Sequence, residues 1–83
     1  MTDKELLESI LTDVNVVDSI NNNLDNIFKI IPEAKYMVGF KHNHPHHHLD
    51  VWNHTLLAIS MSPNIIIVRL ALLLHDIGKP FSY

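Results

Sequence analysis

His75 and Asp76 stand side by side at the end of a leucine-rich run, in the string LLLHDIGKP, with Lys79 just beyond them. An imidazole and a carboxylate can both carry protons or bind a metal, and an ammonium beside them can neutralise an anion. Burying either of the pair is costly unless it is hydrogen-bonded, paired or metal-bound. A hydrogen-bonded structural pair is the simpler reading of such a dipeptide. Adjacent side chains diverge by about 100° around a helix, yet near a helix end both can reach one ion. His54 lies in the preceding apolar segment, DVWNHTLLAI. Antiparallel packing of the two segments would bring it to the same place. Two imidazoles and a carboxylate suit Mn, Fe, Co, Ni or Zn without selecting among them.

A second group of candidates is denser. Of seven histidines, six fall between His42 and His54. The stretch 42–48, HNHPHHH, has no periodic apolar positions and contains Pro45, so it reads as a loop. His42, His44 and His46 alternate, and an extended backbone would set them on one side, able to chelate Zn, Ni or Cu. A solvated polar loop and the lining of a pocket are the competing readings. Near about pH 6 free imidazoles begin to protonate, which would make the loop attractive to phosphates.

The elements that must position these residues read as helices. Thr2 and Glu5 fit a capping box, followed by Leu6, Leu7, Ile10, Leu11 and Val14 at helical spacing. A second helical pattern runs through Val17, Ile20, Leu24, Ile27, Phe28 and Ile31, with Asp13 or Asn15 as its cap and Pro32 as its end. The three asparagines 21–23 weaken its propensity. A short connector follows, with Gly39 as a breaker. Asp50 can cap a third helix in which Trp52, Leu56 and Ile59 share the core face. Ser62-Pro63 reads as the start of a fourth, cap then first residue, that runs to Gly78. That helix is apolar almost all round and must be covered on most sides. Arg69, alone within it, is expected to reach solvent rather than to pair with Asp50 or Glu33. The architecture expected is all-α, a partial bundle of about four to five helices. It forms one domain over 1–83: leading helices 1–32, connector and histidine loop 33–49, ligand-bearing helices 50–83.

Composition narrows the classes. Eighty-three residues make one small domain, and six Lys+Arg against nine Asp+Glu give a formal charge of −3. Nothing there marks a nucleic-acid-binding surface. The absence of cysteine removes disulfides and thiolate sites from consideration. The acidic start, MTDKELLES, is unlike a secretory signal. The most apolar run, Ile65 to Leu74, falls short of the about 20 residues a bilayer span needs. A cytoplasmic protein with no membrane partner is the expectation.

RLALLLHDIGKP, with HHHLDVWNHTL upstream, resembles the HD-domain superfamily of metal-dependent phosphohydrolases. The similarity covers about residues 36–83 and is closest to the HD domain appended to bacterial tRNA nucleotidyltransferases and to its stand-alone relatives. The resemblance implies a divalent ion (Mn, Mg, Fe, Co, Ni or Zn) held by His54, His75 and Asp76. It implies a phosphate contact from Lys79 and substrate contacts from His46, His47 and His48. Its substrates would be phosphorylated small molecules or nucleotides. A metal-activated water would attack the phosphoryl group, with Lys79 neutralising charge and Asp76 able to orient the water. The family's last ligand is an Asp well downstream of the doublet, and none follows Asp76 in this sequence. The chain therefore reads as the N-terminal portion of a longer domain, whose exposed apolar helix surface would favour self-association. A non-catalytic helical module on the same scaffold, or a histidine-rich metal-binding peptide, are the alternatives.

Overall fold

The computed structural model describes residues 1–40, 50–78 and 80. Five α-helices follow one another in these residues: α1 (Asp3–Leu11), α2 (Val16–Asn21), α3 (Leu24–Ile30), α4 (Val51–Ser60) and α5 (Ile66–His75). A 3₁₀ segment, Pro32–Met37, lies between α3 and α4. The all-α architecture is as the periodicity predicts, and the described residues contain no strand.

α1 begins as its sequence dictates. The Thr2 hydroxyl accepts from the Glu5 backbone N–H, and the Glu5 carboxylate accepts from that of Thr2, both at 3.1 Å. Two of the orphan N–H groups at the helix start are thereby satisfied. Those bonds to Thr2 hold the Glu5 carboxyl below the ordinary Glu range.

The second helical pattern is divided in two. α2 stops at Asn21, and Asn23 turns its side-chain amide back to the Ser19 carbonyl at 2.7 Å. Asparagine competes with the helix ladder through such local bonds, which is why three in a row break the rod. The apolar stripe survives the break, since Ile20 and Ile27 are both fully buried. Pro32 ends α3 and opens the 3₁₀ segment, where Ala34 and Met37 face the core at the three-residue spacing of that helix type.

α4 is the spine of the molecule, packed against α2, the 3₁₀ segment and α5. Val51, Trp52, Thr55, Leu56 and Ile59 are buried along it, and the Trp52 ring lies 5.5 Å from Phe28. Asp50 caps it, one oxygen accepting from the Asn53 backbone at 2.7 Å and from its side-chain amide at 2.9 Å. The other oxygen accepts from the Gly39 N–H at 2.6 Å, where Gly39 adopts φ +79°, open to glycine at little cost. The Val51 N–H donates to the Phe40 carbonyl at 2.8 Å.

α5 departs from its sequence reading at both ends. Ser62 does not cap it. Its hydroxyl donates to the Ile59 carbonyl at 2.6 Å, finishing α4, and α5 starts at Ile66 behind an uncapped Ile65. At the far end α5 stops at His75 rather than at Gly78, which does not adopt the left-handed conformation of a glycine cap. A bond from the Ile77 N–H to the Leu74 carbonyl at 3.2 Å tightens the last turn. Nor does Arg69 reach for solvent. It is 5% exposed, and its Nη1 donates to the carbonyls of Leu11 at 2.8 Å and Asp13 at 3.1 Å. Those two bonds tie α5 to the end of α1. Ile67 and Leu74 remain open to water, so the expected cover over α5 is incomplete among the described residues.

Candidate functional site

The doublet sits where α5 gives out. His75 is the last helical residue, and Asp76 has already left the helix at φ −105°, ψ 9°. That departure removes the divergence of two successive helical side chains. The His75 Nε2 and the Asp76 Oδ2 meet at 2.9 Å. On its other side the ring brings Nδ1 to 2.6 Å from the Leu72 carbonyl.

These contacts constrain the hydrogens. A carbonyl oxygen only accepts, and an ionised carboxylate only accepts. Nδ1 therefore turns its hydrogen to the Leu72 carbonyl, and Nε2 faces the Asp76 carboxyl group. Asp76 is 6% exposed, whereas the side chain of His75 is 42% exposed. The carboxylate is thus fixed in the protein, and the imidazole stands between it and water.

His54 lies on α4, half-buried, on a different side from Trp52 and Leu56. α4 and α5 pack on each other, so two neighbouring elements carry the three residues. The donor atoms are of the kind a divalent ion takes. Their arrangement is not: among the described residues, no three His, Cys, Asp or Glu side chains are placed to hold an ion. The facing atoms of His75 and Asp76 are spent on each other. Lys79 and the histidines His42, His44, His46, His47 and His48 lie outside the described residues.

Sequence reasoning passed over one feature. Arg69, treated as a surface-seeking charge, borders a cavity of about 230 Å³ with Val14, Asn15, Asp18 and Ser60. The signal was present in the sequence as a lone guanidinium in an apolar helix, a charge the fold must satisfy or bring to water.

Comparison with protein-family models, curated proteins and solved structures finds no match.

Proposed function

We propose that this chain carries the scaffold of an HD-type metal-dependent phosphohydrolase acting on a phosphate ester or nucleotide. The observation that supports the reading is the His75–Asp76 pair at the end of α5, packed beside the helix that bears His54. In this reading the buried Asp76 orients the exposed imidazole at the site. In the same reading Lys79 contacts phosphate, and His46, His47 and His48 contribute to substrate binding. The described donors do not by themselves form an ion-holding group.

A second reading is favoured by that same closure of the pair. His75 bonds the Leu72 carbonyl and Asp76 bonds His75, which is what a structural C-terminal cap requires. The chain would then be a non-catalytic helical module on the HD scaffold. A histidine-rich metal-binding peptide is the third.

Metal analysis of the purified chain beside a His75→Ala/Asp76→Ala double variant separates them, with a Mn-supplemented phosphate-ester assay on both. The first reading expects bound divalent metal and hydrolysis in the parent and neither in the variant. Equal metal in both proteins would remove the doublet as a ligand pair. Metal lost only on replacing His42, His44 and His46 would identify the peptide reading. A folded parent without metal or hydrolysis would leave the helical module.

A further inference from the structure

Surface charge in this chain is divided by element. Asp3, Glu5, Glu8, Asp13, Asp18 and Asp25 are all exposed, and all belong to the first three helices and the turns between them. From Val51 to His75 the sequence holds no Asp, Glu or Lys. The one Arg there, Arg69, is buried against the Leu11 and Asp13 carbonyls. Charged side chains normally make up about 25–35% of a small domain's surface. The hairpin of α4 and α5, which pack on each other, goes almost without them. What it shows instead is apolar. On α5 the exposed Ile67, Ala71 and Leu74 recur at steps of four and three, a stripe on the opposite side from the buried Arg69 and Leu73. On α4 the exposed Leu57 leads to Met61 one turn on, and Ile65 stands open between the two helices.

We propose that this face of α4 and α5 pairs with the same face of a second copy, forming a two-fold dimer. The proposal does not depend on the phosphohydrolase reading. A two-fold contact uses one patch twice and must be self-complementary. An uncharged apolar patch meets that condition, and it brings no like charges together although each copy carries a formal charge of −3. A charged partner would find no counter-charge on it. A lipid surface would find none of the exposed Lys or Arg that holds an amphipathic helix to anionic headgroups. The open apolar side chains of the hairpin amount to roughly 500 Å² per copy, so a pair covers about 1,000 Å², the lower end for a specific interface. The dimer is therefore weak and reversible.

The test is sedimentation equilibrium of the purified chain across a wide concentration range. The mass is expected to rise from that of one copy and level off at that of two. Ile67→Lys and Ala71→Glu each place a charge in the contact and should raise the Kd about tenfold or more. Val14→Lys alters an equally exposed apolar residue on the turn between α1 and α2 and should leave the Kd within about twofold. Raising the salt concentration should not dissociate the pair, because no exposed charges are joined. All three substitutions lie on the surface, and unchanged circular dichroism verifies that the variants fold. A single-copy mass at every concentration would overturn the proposal and leave the face to a different partner. A mass that climbs past two copies without a plateau, dissociation by salt, or equal weakening by Val14→Lys would overturn it as well.

Discussion

At the residue scale the doublet is asymmetric. Asp76 is buried and fixed, and His75 is the partner at the surface. Replacing Asp76 by Ala deletes a charge-assisted hydrogen bond and leaves space in its buried setting, with an expected loss of about 1.5–3 kcal/mol. Replacing His75 by Ala exposes the carboxylate to water and should cost less, about 0.5–1 kcal/mol. Urea unfolding of the two variants checks the order, and a larger loss from His75→Ala would contradict the geometry. Glu5 supplies a pH prediction. Its carboxyl is held below the ordinary Glu range by the Thr2 hydrogen bonds, so the folded-state value lies under the unfolded one. The contribution is therefore complete above the unfolded Glu value and is lost as pH falls through the folded one. Protection of the first-turn amides of α1, measured against the intrinsic exchange rate at each pH, should fall over that acid window, and Glu5→Gln should flatten the dependence. Both capping residues were legible because their partners are three positions apart. Arg69 was not, because its acceptors, Leu11 and Asp13, are distant in sequence and nothing local marks them.

At the element scale the molecule depends on a few ties between helices. Asp50 is the most connected, capping α4 and accepting from Gly39 at once. Asp50→Ala removes the cap, worth about 1 kcal/mol, and strips the Gly39 N–H of its acceptor. A total loss of about 2–3 kcal/mol is expected by denaturant unfolding, with Asp50→Asn retaining part of it. Arg69→Met is the corresponding test for α5. It preserves bulk but orphans the Leu11 and Asp13 carbonyls, for an expected loss of about 1–3 kcal/mol. The periodic stripes of α1, α4 and the divided second pattern were readable from apolar spacing. The boundaries of α5 were not. Ser62 has a hydroxyl that suits either the end of one helix or the start of the next, and only packing decides between them.

On the scale of the whole molecule, apolar surface is distributed unevenly. Ile67 is 74% exposed and Met61 77% exposed, with Leu57 and Leu74 also open on α4 and α5. Such surface favours association. Sedimentation velocity should show the average mass rising with concentration, and Ile67→Lys with Met61→Lys should reduce that rise. The continuous apolar circumference of α5 was evident from its residues. What it meets is not a property of the segment itself, since burial depends on which other elements arrive. The paired ends of the segment between Phe40 and Asp50 have a different consequence. The Val51 N–H on the Phe40 carbonyl and the Gly39 N–H on Asp50 close a neck at its base. Closure entropy grows slowly, about 0.6 kcal/mol for each doubling of loop length. Closure entropy therefore sets little cost on a longer connection between Phe40 and Asp50, and doubling its length should cost the fold about 0.6 kcal/mol on that account.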